Sequence, residues 1–436
     1  MTNRNREQLG FLGCKGRRVE ADFSGGNVTS DAGILLAREA DRHLGLTASI
    51  APLLKDPRRK ASCEHTVLSM LRQRVYGLAA GYEDLNDHDS LRHDLAWQTV
   101  VERDKPSASS PTLCRMENRA DRQAAVAMHR VLVEQFIASH SEPPPELILD
   151  FDATNDPVHG SQIGRFFHGY YDEYCFLPLY VTCREQLLVA YLRPSNIDGA
   201  RHAWAILALL VKRLRQAWPD TRIIFRADSG FCRWRMLQWC DNHNVSYIVG
   251  LAKNKRINET AERQIDGARK SFDATKRSQR LFGNLRYGAH SWDRERRVIA
   301  RIQHDRKGSN PRYVVTNLPG NGRKLYERIY CARGEMENRI KEQKMLFADR
   351  TSAHNWWPNQ FRLLLSALAY TLLETIRRLG LEGTELARAQ VTTIRLKLLK
   401  IGAVVVRNTR RVRFQLASAH PYQHLFGLVT ERLKPG

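Results

Sequence analysis

Glu146-Leu-Ile-Leu-Asp150-Phe-Asp152 is a short apolar run that closes on acids, and it follows the segment Ser141-Glu-Pro-Pro-Pro145. A proline run is stiff and extended, so it separates what lies on either side of it. Beyond it, Tyr174–Cys183 and Gln186–Leu192 are strand-like with a polar turn between them, which predicts antiparallel neighbours. Ala200–Trp218 carries helical apolar spacing. Arg222-Ile-Ile-Phe-Arg-Ala-Asp228 is another strand ending in an acid. Cys232–Asn244 then reads as a helix and Ser246–Leu251 as a strand. The order is βββαβαβ. Three meandering strands followed by alternating helices and strands predict an α/β, ribonuclease H-like core.

Outward from this core the pattern changes twice. Towards the N-terminus the chain is mostly helical. His65–Tyr82 has apolar residues at 67, 68, 71, 75, 76 and 79, and acids follow at Glu83, Asp84, Asp87 and Asp89. Ser110 and Pro111 form a helix start, with Ser110 as cap. The short basic helix that follows, with Arg115 and Arg119, is either a helix-turn-helix reader or a plain packing helix. On the other side, 254–324 reads as a β-rich insertion: one polar helix, then short basic strands including Arg296–Ile302 and Arg312–Thr316. Helix returns at Leu325–Arg350, and Asn359–Leu379 is strongly apolar. The basic tail holds a hairpin, Ala403–Val406 with Val412–Leu416. The expected segments are therefore 1–140, 146–253, 254–324, 325–400 and 401–436.

Lys plus Arg number 69 against 46 Asp plus Glu, a net charge of +23 over 436 residues. Such a surplus points to a polyanionic partner, most simply nucleic acid, with a membrane surface as the rival. No run of roughly 18 apolar residues is present, and Met1–Glu7 is polar, so neither a membrane span nor a signal segment is expected. The eight cysteines include no Cys-x-x-Cys pair and are read as reduced thiols. Cys232, Cys240 and His243 lack the second ligand pair that zinc would want.

Tyr330-Cys-Ala-Arg333-Gly-Glu-Met-Glu337-Asn-Arg-Ile-Lys341-Glu-Gln-Lys344 has helical composition. On a helix, Tyr330, Arg333, Glu337, Lys341 and Lys344 form one stripe: a single carboxylate among cations and a phenol. A solvated helix face is the plain alternative. Arg339 falls on another face, so Arg339→Ala is expected to be tolerated. A lone Asp at a strand end is usually a turn residue or cap. Here Asp152 and Asp228 end strands that the fold sets side by side, and Glu337 returns on a helix. Three carboxylates suit Mg²⁺, which takes carboxylate, phosphate and water oxygens. Two such ions roughly 3.5–4 Å apart can activate a water and stabilise the leaving oxygen of a phosphodiester. Asp150 shares the face of Asp152 and is the rival for its place.

Asp152-Ala-Thr154, Arg226-Ala-Asp228-Ser229-Gly230 and Tyr330-x2-Arg333-x3-Glu337-x6-Lys344 together resemble the DDE transposases of bacterial insertion sequences, in their cut-and-paste branch. Ser30–Gly33, Gly81–Asp84, Ala108–Thr112 and Asp156–Gly160 resemble the insertion sequence 1380 family, and the likeness runs over nearly the whole chain. That resemblance implies that Asp152, Asp228 and Glu337 are catalytic and hold two Mg²⁺ ions, with Mn²⁺ able to substitute. It places Tyr330, Arg333, Lys341 and Lys344 on DNA, and Arg115 and Arg119 in an end-binding domain. Related enzymes release their element through a DNA hairpin with a flipped base on an insertion tryptophan. Trp292, the only Trp of 254–324, takes that part, unless it merely covers a small core. The implied partners are the element's terminal inverted repeats and target DNA, bound by a homodimer in the bacterial cytoplasm at the nucleoid. A metal-dependent nuclease without strand transfer and a transposase-derived repressor are the alternatives.

Overall fold

The computed structural model describes residues 8–59, 61 and 63–434; the polar Met1–Glu7 stretch lies outside them. The chain forms two compact units, 121–367 and the joined segments 1–120 and 368–436.

The first unit is built on one eight-stranded sheet. In chain order its strands are β1 (Glu146–Ala153), β2 (Leu179–Cys183), β3 (Gln186–Tyr191), β4 (Arg222–Ala227), β5 (Ser246–Leu251), β6 (Gln279–Tyr287), β7 (Arg296–Asp305) and β8 (Gly308–Thr316). Across the sheet they run β6-β7-β8-β5-β4-β1-β2-β3. β1, β2 and β3 meander antiparallel, whereas β4 and β5 lie parallel to β1. Parallel strands need crossovers, here the helices α1 (Ala203–Ala217) and α2 (Trp234–Asn242). This is the ribonuclease H-like core.

Leu149 and Phe151 of β1, Phe225 of β4 and Val249 of β5 pack with Leu207 and Leu210 of α1 and Leu237 of α2 in the main core. Burying one such side chain contributes roughly 1.5–3 kcal/mol.

The strand expected over Tyr174–Cys183 is two strands, broken at Leu177-Pro178. Proline has no N–H to give a ladder. The first piece, Glu173–Phe176, pairs instead with Asp156–Pro157 and Phe166–His168 in a small three-stranded sheet beyond the end of β1. The insertion has two helices where one was expected, α3 (Lys255–Thr260) and α4 (Glu262–Thr275), and long rather than short strands. Its strands continue the central sheet, with β8 antiparallel to β5.

The helix expected over Leu325–Arg350 is also not uniform. Leu325–Tyr330 winds wide, Cys331–Arg333 tightens, and a regular helix, α5 (Gly334–Met345), follows. Arg226 Nη1 donates to the Ile329 carbonyl at 2.5 Å, tying the wide turn to the centre of the sheet.

In the second unit, helices Ile34–Leu44 and Val67–Ala80 pack together, and the tail hairpin pairs through Ala403–Arg407 with Val28–Thr29. A Cβ on Gly33 would stand 1.8 Å from the Leu398 carbonyl oxygen, so only glycine admits the tail there. Asp31 is buried and takes Lys400 Nζ at 2.7 Å and the Tyr82 hydroxyl at 2.6 Å. Ser30–Gly33 and Gly81–Asp84 thus knot the two ends of the chain together. Helix Ser110–Glu117 starts where expected, but Ser109 holds the cap position, one residue before Ser110.

Candidate active site

In the parallel pairing of β1 and β4, Phe151 stands opposite Ala227. The next residue on each strand is Asp152 and Asp228, so the register alone sets the two acids side by side at one sheet edge. Asp228 uses one carboxylate oxygen to accept from Gly230 N at 2.8 Å, capping the turn Ser229–Phe231.

Glu337 arrives on α5, which is anchored on the sheet by buried Met336 and Ile340. The Thr182 hydroxyl on β2 donates to Met336 Sδ at 2.9 Å. Arg333 joins the carboxylates: Nη1 is 3.1 Å from Asp152 and Nη2 is 3.3 Å from Glu337. Burial pushes the Asp152 carboxyl up to about 6; Arg333 pulls it down, and the negative charges of Asp228 and Glu337 push it further up.

Asp150 does a different job from Asp152. It is buried directly opposite Arg226 on β4, and the two pair through both oxygens, one contact being 2.6 Å. Since Arg226 also holds the Ile329 carbonyl, this pair fixes β1, β4 and the approach to α5 together.

Tyr330 reaches the same place by a close approach. A Cβ on Gly250 of β5 would lie 2.6 Å from the Tyr330 hydroxyl and 2.8 Å from Ser229 N. A glycine inside a strand is the sequence sign of such an approach, and Gly250 was missed. A cleft of about 420 Å³ lies here, lined by Gly250, Lys253, Arg312, Tyr330, Arg333 and Glu337 among others.

The remaining expected residues divide. Lys344 Nζ donates to the Asn155 carbonyl at 2.8 Å, beyond the end of β1. Lys341 on the same helix is exposed. Arg339 corrects an expectation: it is buried and 3.1 Å from the fully buried Glu342, so it holds α5 together and is not a spare surface cation. Trp292 meets Tyr287 edge-on at 5.6 Å, has Arg296 over its ring at 5.6 Å and packs against the main core. Arg115 and Arg119 belong to the other unit. Arg115 is exposed beside Thr112, and Arg119 pairs with Asp56 at 3.3 Å. Cys232 and Cys240 pack in or against the main core, and burial pushes the Cys232 thiol up to about 12.

Among the described residues no three His, Cys, Asp or Glu side chains are gathered into a ready metal group. The donors are nonetheless of the right kind. Three carboxylates in one electrostatic neighbourhood repel, one of them is held near 6, and the cation offsetting them is a guanidinium. Hard oxygen donors short of positive charge fit a divalent ion of the magnesium type.

An α/β core of ribonuclease H-like topology, with acids at neighbouring strand ends and a third on a returning helix, defines the class. Residues 11–435 match the family of the transposase DDE domain, group 1, and the chain belongs to that family. Among solved structures it is similar to a piggyBac transposase synaptic complex with hairpin DNA. The identity is 10%, 85% of this chain and 80% of that one are covered, and the TM-score is 0.42. No curated protein matches. No helix among the described residues is long and apolar enough to cross a membrane.

Proposed function

We propose that the chain is a DNA transposase of the insertion sequence 1380 kind. It would cleave the ends of its own element and join them to target DNA, with Asp152, Asp228 and Glu337 as its catalytic acids. The observation that carries this reading is the register of β1 and β4, which sets Asp152 beside Asp228, together with Arg333 linking Asp152 to Glu337.

A bound pair of divalent ions, Mg²⁺ or Mn²⁺, held by these three carboxylates would supply Lewis-acid stabilisation of the attacking and leaving oxygens. The protein's own groups do the rest. Arg333 is a planar two-pronged donor that matches a phosphate as well as a carboxylate, and phosphate is the charge that DNA brings to the site. Tyr330 and Lys344 flank it on the same helical approach. Asp150 and Arg226 hold the frame and touch no reacting atom. The net charge of +23 provides the phosphate-driven affinity that sequence-independent contact with DNA requires. Residues 1–140, with Arg115 and Arg119, are assigned the reading of the terminal repeats, and a homodimer the pairing of two ends.

The test is a supercoiled plasmid carrying the element's ends, incubated with the protein and Mg²⁺ alongside a target plasmid. Excised element and integrated product are expected. Cleavage without any integrated product would make the protein a nuclease. Specific end binding with no cleavage in either Mg²⁺ or Mn²⁺ would make it a repressor.

A further inference from the structure

Beyond β1 the chain makes a small sheet whose outer hairpin, Phe166–His168 and Glu173–Phe176 with the turn 169–172, is loaded with rings. Phe167 is 52% exposed, Tyr174 50% and Tyr170, at the turn, 85%. The rings touch in two chains. Arg165 lies over Tyr174 at 4.5 Å, and Tyr174 meets Phe167 edge-on at 5.6 Å. Tyr170 meets Tyr171 edge-on at 5.0 Å, and Tyr171 meets His168 at 4.9 Å.

Folding does not account for this arrangement. A ring 85% exposed on a turn buries little surface, and edge-on contacts leave ring faces open to solvent. The position is informative as well. The edge strand Asp156–Pro157 of this sheet starts four residues after Asp152, and Val158 N donates to the Tyr174 carbonyl oxygen at 2.8 Å. The inner ring, Tyr171, lies close enough to the acids that, after burial, the charges of Asp152 and Asp228 raise its phenol.

We propose that this hairpin is a stacking platform for unpaired DNA bases beside the scissile phosphate, with Phe167, Tyr170 and Tyr174 offering the ring faces and Arg165 the charge. Bases inside a duplex have both faces covered by their neighbours. Only an unstacked base has a face to offer, so the platform distinguishes single-stranded or flipped nucleotides from intact duplex. Exposed rings beside an arginine, on a chain of charge +23, match a polyanion whose bases carry π-faces. This inference deepens the proposed function, and rests on it, since it names the part of the substrate next to the cut.

The test uses the full chain without added metal, so that no cleavage intervenes. One DNA duplex is blunt; its pair carries a three-nucleotide single-stranded tail containing 2-aminopurine. The unmodified protein should bind the tailed duplex roughly tenfold more tightly than the blunt one and quench the probe, the size of one base-on-ring stack. Tyr170→Ala and Phe167→Ala should each bring that ratio most of the way to one while leaving blunt-duplex affinity unchanged, which also reports a sound fold. Tyr170→Phe should retain the preference and Tyr170→Leu should lose it. A ratio near one in the unmodified protein, or an unchanged ratio in Tyr170→Ala and Phe167→Ala, overturns the proposal. So does a change in oligomeric state on sedimentation with the ratio intact, which would make the hairpin a contact between copies. Because the ratio is read without metal, absent cleavage would sink the transposase reading while leaving this one standing, and normal cleavage with an unmoved ratio would do the reverse.

Discussion

Arg333 is the residue on which the site turns, because it touches two of the three proposed catalytic acids at 3.1 and 3.3 Å. If it moves onto a phosphate as DNA enters, Arg333→Ala should lower single-turnover cleavage of a pre-bound end by roughly a hundredfold while weakening binding only slightly. Arg333→Lys should recover only part, since an ammonium cannot make the planar fork. Arg339→Ala should do the opposite. It deletes the 3.1 Å contact to the buried Glu342, so it should cost roughly 1–3 kcal/mol of stability, read as a lowered melting temperature. A charged residue at a helical position reads as surface in a sequence, and only the packing of α5 reveals that this one is not.

Asp152 makes a second prediction. Its folded carboxyl, at about 6, sits above the ordinary 3.8, so the folded state holds the proton more tightly than the unfolded chain. Its contribution to stability is then full below about pH 4 and is lost as pH climbs through 6. Asp152→Asn, neutral throughout, should therefore stabilise the metal-free protein at pH 8 by on the order of 1–3 kcal/mol, and the gain should shrink below pH 6. Melting curves across that range check it. A destabilised variant at pH 8 would mean that the Arg333 pair outweighs burial.

At the scale of elements, β5 and the wide turn before α5 are fitted to each other through Gly250. Gly250→Ala should displace Tyr330 or Ser229, cost about 1–3 kcal/mol and lower cleavage with it. Gly267→Ala in α4 is the control. Its added carbon would meet Leu281 at 3.6 Å, an ordinary contact, and it should stabilise by about 0.5–1 kcal/mol. Thermal melts of the two variants should move in opposite directions.

The strands of the core were readable because apolar runs bounded by turn residues are local signals; Ser246–Leu251 lies where it was expected. What escaped was decided by distant partners. The wide turn at Leu325–Tyr330 has helical composition, and Arg226 pulling on the Ile329 carbonyl is a contact across 103 residues. That β8 would extend the sheet from β5 is a register, which no local pattern carries. Pro178 was visible, and its meaning, a strand cut in two, follows from its missing N–H. Of the candidate site, the neighbouring positions of Asp152 and Asp228 could be expected because strand ends gather at one edge. The placing of Asp150 against Arg226 could not, since both strands had to be in register first.

Over the whole molecule, the net charge of +23 and the knot between Asp31, Tyr82 and Lys400 answer to different demands. A charge of that size suits the anionic partner of the proposed function, whereas the knot makes one unit of segments from both ends of the chain. Within that unit Gly33 admits the Leu398 carbonyl and Asp31 binds Lys400 and Tyr82, so both residues have a structural task there. The account's central claim is that Asp152, Asp228 and Glu337 act together as the metal-holding acids of a DNA-cleaving site. The most direct measurement is single-turnover cleavage of a duplex carrying one element end, in Mg²⁺, by the unmodified chain and by Asp152→Asn, Asp228→Asn and Glu337→Gln. The account predicts cleavage by the first and none detectable by the other three, with end binding retained by all four. Cleavage at near-normal rate by any one of the three variants would contradict it.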